Sequence, residues 1–107
     1  MDGLIQVVTT AGEKQVAQSI AAELVAQRLA ACVQVSGPVT STYRWQGEVE
    51  TAEEWLCTAK TTRSLFGEVE RVVHELHPYD TPELIATAIV AASGAYEAWL
   101  REQVRRD

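Results

Sequence analysis

Two strand-forming runs, residues 32–43 and 49–61, flank Trp45-Gln46-Gly47-Glu48, and this pair constrains the fold more than any other feature of the chain. The first run carries Val33, Val35 and Val39 among several Thr and Ser, while the second places Trp55, Cys57 and Ala59 on one face and Leu56 on the other. The tetrapeptide between them reads as a tight hairpin turn. An arm of about a dozen residues spans roughly 40 Å, whereas a compact domain of this length has a radius of gyration near about 13 Å. The tip, with Tyr43, Trp45 and Val49, must therefore extend beyond the body. Its open edges and rings need partners, and another copy of the chain is the simplest supplier. A homo-oligomer follows, with Tyr43 and Trp45 expected in the contact between copies. Gly37-Pro38 predicts a bend or bulge in the first arm, and Glu53-Glu54 marks a solvated part of the return arm.

The remaining segments complete one pattern. Residues 4–10 are short and β-branched, a buried strand. From 13 to 29, Val16, Ile20 and Leu24 recur every fourth residue, which predicts a helix with one apolar face, slimmed by Ala22, Ala26 and Ala30. Ser64 is placed to cap a second helix carrying Leu65, Val69, Val72, Val73 and Leu76. Residues 83–90 are apolar enough for a central strand, and a last helix shows Tyr96, Trp99, Leu100 and Val104 on one side. The order β-α-β-β-α-β-α predicts an α+β, ferredoxin-like split βαβ sandwich with a long hairpin and an extra C-terminal helix, one domain over 1–107.

Composition narrows the function. A formal charge of −6 and a pI near 4.9 argue against nucleic acid, because neutralising phosphates needs a basic face. Arg101, Arg105 and Arg106 form the one basic cluster, which suits a helix C-terminus. No apolar run approaches the roughly 20 residues of a spanning helix, and Met1-Asp2-Gly3 runs straight into a strand pattern with no basic leader, so a cytoplasmic location is expected. Cys32 and Cys57 sit singly in apolar runs and read as small buried hydrophobes.

Chemistry concentrates in His77-Pro78-Tyr79-Asp80-Thr81-Pro82-Glu83. Two prolines stiffen a turn that holds an imidazole, a phenol and two carboxylates. Its plain reading is a rigid connector in which His77 bonds the loop backbone. As a metal site, His77 would supply a nitrogen suited to copper or zinc, with oxygens from Asp80 and Glu83. Such a site is open, and solvent or oligomer symmetry must complete it. Lys60 and Glu83 could form an ion pair lining a cleft walled by Tyr79 and Trp55. His74 falls off the apolar stripe and reads as solvated.

The ordered blocks Arg28-Leu29-Ala30-Ala31-Cys32-Val33, Thr40-Ser41-Thr42-Tyr43-Arg44-Trp45-Gln46-Gly47, Lys60-Thr61 and the proline loop, closed by Tyr96 and Trp99, resemble the CutA-type divalent-cation tolerance proteins over residues 5 to about 104. The resemblance implies a PII-like trimer, an association with copper and other divalent cations, and no catalysis. No cofactor is required on this reading, with weak binding of Cu2+ or another divalent cation by the loop. Where some members have a cysteine that helps bind copper, this chain has Thr9. Where some have a second histidine, it has Leu76, and Ala11-Gly12 stands in for the usual Pro-Asp. A copper site relying on those extra ligands is therefore not implied. The alternative is a PII-like sensor binding a small metabolite or nucleotide between subunits, although no Gly-rich phosphate loop is present. An acyl-phosphate hydrolase would need an arginine in an anion cradle, and a copper carrier a CxxC-like pair. The sequence offers neither.

Overall fold

A computed structural model describes residues 2–106, leaving Met1 and Asp107 outside the described residues. Strand β1 (Leu4–Ala11) leads to helix α1 (Lys14–Ala26), then the hairpin of β2 (Cys32–Trp45) and β3 (Glu48–Thr62). A single 3-10 turn (Arg63–Leu65) enters α2 (Phe66–Leu76), followed by β4 (Ile85–Ala88) and α3 (Gly94–Gln103). The four strands form one antiparallel sheet in the order β2-β3-β1-β4. This is the split βαβ arrangement expected from the element order.

Strand alternation decides which side of the sheet holds the core. Val7, Cys57, Ala59 and Thr61 are buried on one side, where α1 packs through Ala17, Ile20 and Leu24. Helix α2 lies beside α1 and buries Val69, Val72 and Val73. The alternate residues Gln6, Val8, Thr58 and Lys60 are only half-buried. Helix α1 ends with Arg28 in the left-handed region (φ 59°), a common way to stop a helix. That bend also aims the Arg28 guanidinium at the carbonyls of Glu102 and Gln103, at 2.5 and 2.8 Å, tying the end of α3 to α1.

The hairpin follows the sequence reading closely. Gln46 and Gly47, both at positive φ (50° and 82°), close a two-residue turn between Trp45 and Glu48, a geometry whose twist matches that of the strands. The ladder shifts register between Ser36 and Val39, so Gly37-Pro38 forms the expected bulge, with Gly37 at φ 145° and its peptide to Pro38 cis. Pairing of β3 with β1 stops at Trp55↔Ala11, so from Glu54 to the turn the arm is a free two-stranded ribbon. Extents of 45 × 25 × 21 Å record how far it projects.

Several expectations are corrected. Strand β4 is a four-residue edge strand, exposed throughout, where the apolar run 83–90 suggested a central one; it pairs on one side with β1, and among the described residues no strand pairs with its other side. Ser64 does not cap α2, since its amide and hydroxyl both bond the Asp2 carboxylate at 3.0 and 2.6 Å. The capping serine is Ser93, whose hydroxyl accepts from the Tyr96 amide at the start of α3. Cys57 is fully buried, and desolvation pushes its thiol up to about 11, whereas Cys32 is only half-buried. Glu54, expected in solvent, is buried with 8% of its surface exposed.

Candidate functional site

The proline loop descends from α2 and packs its first residue under the end of β1. His77 is 6% exposed, and both ring nitrogens are engaged by backbone. Nε2 lies 2.6 Å from the Thr10 carbonyl, and Nδ1 accepts from the Tyr79 amide at 3.2 Å. A carbonyl can only accept and an amide can only donate, so the proton is assigned to Nε2. The two bonds lock the loop to β1 and turn Tyr79 back over the histidine, with the two rings 4.6 Å apart. A second clasp runs from the Thr9 hydroxyl to the Glu83 carbonyl at 2.6 Å. Thr9 therefore secures the far end of the same loop. Pairing with β1 begins at Ile85, two residues later.

With both nitrogens occupied, His77 acts here as the clasp that the plain reading described. Asp80 and Glu83 are exposed. Among the described residues no group of three His, Cys, Asp or Glu side chains is placed to hold a metal ion, so the structure does not assemble His77, Asp80 and Glu83 into a ligand set. The physical reason is occupancy: a buried histidine whose two ring nitrogens serve the backbones of β1 and of the loop has no nitrogen free for a metal ion beside the exposed carboxylates.

The expected cleft is likewise divided. Trp55 stands opposite Ala11 at the loop end of the sheet, and the Lys14 ammonium lies 5.2 Å from its ring centroid. The Tyr79 hydroxyl is close by, positioned 3.1 Å from where a side chain at Gly12 would begin. Lys60 is five residues further along β3, about 16 Å away, and donates to Gln34 Oε1 at 2.6 Å rather than to Glu83. Tyr79 and Trp55 thus share one end of the sheet and Lys60 does not join them. His74 is exposed, as expected. Tyr43 and Trp45 sit on the projecting ribbon, with Trp45 58% and neighbouring Val49 63% exposed.

The residue that sequence reasoning missed is Glu54. It occupies the first pair of the free ribbon, just beyond the end of β1, opposite Val39 and on the same face as Tyr43. Burial raises the pKa of the Tyr79 phenol, and the Glu54 charge and the Tyr43 phenol each add to the rise. The sequence signal was a Glu-Glu pair in a strand: successive residues face opposite ways, so the two need not be equally solvated.

Comparison with known proteins agrees with this architecture. The model of the CutA1 divalent ion tolerance protein family matches residues 5–103, nearly the whole chain. The chain belongs to the CutA1 divalent ion tolerance family. The Thermus thermophilus divalent-cation tolerance protein CutA is 45% identical over 96 residues, covering 90% of this chain and 93% of that protein. The Arabidopsis thaliana protein CutA, chloroplastic, is 35% identical over 101 residues, which is 94% of this chain but 56% of that longer protein. The CutA1 crystal structure from Oryza sativa superimposes with a TM-score of 0.95 at 33% identity, covering 98% of this chain and 96% of that one. No helix among the described residues is long and apolar enough to cross a membrane.

Proposed function

We propose that this CutA1 family chain works as a non-catalytic, divalent-cation-responsive binding subunit of a homotrimer in the cytoplasm. The observation that carries the trimeric part is the free ribbon. Seven residue pairs, from Val39↔Glu54 to Trp45↔Glu48, have both edges open, and Tyr43, Trp45 and Val49 are exposed along it. Lone ribbons with apolar rings are poorly stable in water and call for a covering surface. The exposed edge strand β4, with Ile85 54% exposed, offers a second such surface. Three copies at −6 each carry −18, a field that concentrates cations and repels anions.

The cation response rests on the relatives' names and on this charge. In this chain it would draw on the exposed carboxylates of Asp80 and Glu83, completed by solvent or a neighbouring copy, with His77 acting as their support. Copper binding through such oxygens would be weak, because copper prefers nitrogen and sulfur donors. Titration with Cu2+ and Zn2+, followed by tryptophan emission, tests the reading. A saturable response is expected, reduced by Asp80→Asn with Glu83→Gln. A flat titration at micromolar metal counts against it. A thermal-shift screen with nucleotides and metabolites addresses the PII-like alternative, which no cleft uniting Lys60, Tyr79 and Trp55 supports.

A further inference from the structure

We infer that Arg28, Arg101, Arg105 and Arg106, gathered where α3 ends against α1, form a binding site for a dianionic phosphate, free or as the monoester of a small metabolite. The cavity is the first ground. Two adjoining recesses of about 300 and 440 Å³ open at this corner and share Arg101, Val104, Arg105 and Arg106 in their walls. Asp2, Thr62 and Ser64 complete one of them, Arg28 and Glu102 the other. Their size is at the lower end of the roughly 300–1,000 Å³ of small-ligand sites. Four guanidiniums and two carboxylates line the pair, a local excess of positive charge on a chain of −6.

What each guanidinium already touches is the second ground. The sequence suggests that this cluster serves a helix C-terminus, but Arg28 performs that task from the end of α1. It gives Nε and Nη2 to the carbonyls of Gln103 and Glu102 at 2.8 and 2.5 Å, which covers the negative end of α3. Arg101 sets both Nε and Nη2 on a single Glu97 oxygen, each at 3.0 Å. Arg105 approaches Glu68 Oε2 at 3.4 Å, an oxygen that already takes Arg71 Nε at 2.8 Å. Among the described residues, Arg28 and Arg106 pair with no carboxylate. Asp2, the one acid in the wall of its recess, is committed to the Ser64 amide and hydroxyl at 3.0 and 2.6 Å. The backbone beneath is held in place, since the Arg105 amide donates to the Arg28 carbonyl at 2.8 Å and Val104 is buried. Like charges fixed side by side repel one another. A phosphate relieves that repulsion, because its several oxygens accept paired N–H bonds from planar guanidiniums.

The inference stands apart from the metal reading, since none of its residues is Asp80 or Glu83. Inorganic phosphate, glycerol 3-phosphate and, as a monoanion, acetate are the probes, titrated into the full chain in its native assembly. The buffer holds EDTA, constant ionic strength and a pH of about 8, where both phosphates are mainly dianions. Calorimetry and the amide shifts of Arg101, Arg105 and Arg106 follow binding. Saturation by phosphate is expected at about millimolar concentration or below, with acetate at least about tenfold weaker. Tighter binding of glycerol 3-phosphate assigns the source to a monoester, and equal binding assigns it to free phosphate. Arg106→Gln changes an exposed side chain and should weaken phosphate binding about threefold or more, as should Arg101→Gln. Asp2→Asn removes an opposing charge and should tighten it about twofold. Lys14→Gln deletes the same charge at the other end of α1, roughly 20 Å away, and should bind within about twofold of the parent. Absence of saturation, acetate binding as tightly as phosphate, unchanged affinity in both arginine variants, or an equal loss in Lys14→Gln overturns the assignment. Copper titration of Asp80→Asn reads the other site, so the two failures are separable.

Discussion

His77→Leu is the substitution that best separates a clasp from a metal ligand. The imidazole is buried and joins the Thr10 carbonyl at 2.6 Å to the Tyr79 amide at 3.2 Å. Leucine fills most of the same space but offers neither bond. A backbone acceptor and a backbone donor are then left in an enclosed site, each costing about 1–3 kcal/mol. Apolar burial of the leucine offsets about 1 kcal/mol. The net loss should be about 1–5 kcal/mol, a large share of the 5–15 kcal/mol typical of a domain (as an order of magnitude). For a chain of this size it corresponds to a midpoint lowered by about 5–20 °C. Thermal and urea unfolding by circular dichroism, at fixed protein concentration because assembly couples to stability, measures it in chelator and in copper. The clasp requires the full loss in chelator. A variant within about 0.5 kcal/mol of the parent in chelator, yet lacking the copper response, would refute the reasoning and return His77 to the role of ligand.

Further outcomes follow from other positions. Gly37→Ala should cost more than about 2 kcal/mol, because φ 145° is foreign to alanine and the new Cβ would meet Glu54 O and Trp55 Cε3 at 3.0 Å; urea midpoints check this. Trp45→Ala should loosen the proposed trimer by about 2 kcal/mol per contact, seen as dissociation on dilution in size-exclusion with light scattering, and a trimer as tight as the parent's contradicts the contact role. Because desolvation pushes the Cys57 thiol up to about 11, it should remain protonated at pH 8 and resist a thiol reagent until the protein unfolds, while half-buried Cys32 reacts first. Equal labelling rates on the folded protein would contradict that burial.

Much of the fold was legible because its signals are local. The β-branched run 4–10, the alternation in 49–61, the four-residue recurrence of Val16, Ile20 and Leu24, and the turn at Gln46-Gly47 each follow from chain geometry over a few residues. Gly37-Pro38 could be read as a bulge for the same reason. Errors arose where a distant partner decided the outcome. Ser64 looked like a cap until Asp2 claimed it, and residues 83–90 looked central because their apolar character does not say which neighbour covers them.

The candidate site shows the same division. Proline spacing announced a stiff, polar loop after α2, and the residue order by itself carried the CutA family pattern. The direction of the His77 ring was another matter. It depends on β1 supplying the Thr10 carbonyl from 67 positions away in the chain. Burial of Glu54, next to the register shift at Gly37-Pro38, was likewise not legible from its strand neighbours. The chain's covalent order thus determined its elements, their sequence and its acidic charge, since each is a property of near neighbours or of composition. Only the tertiary structure decided which polar groups are satisfied and which are left wanting, because hydrogen bonding and desolvation are set by whatever atoms folding brings alongside.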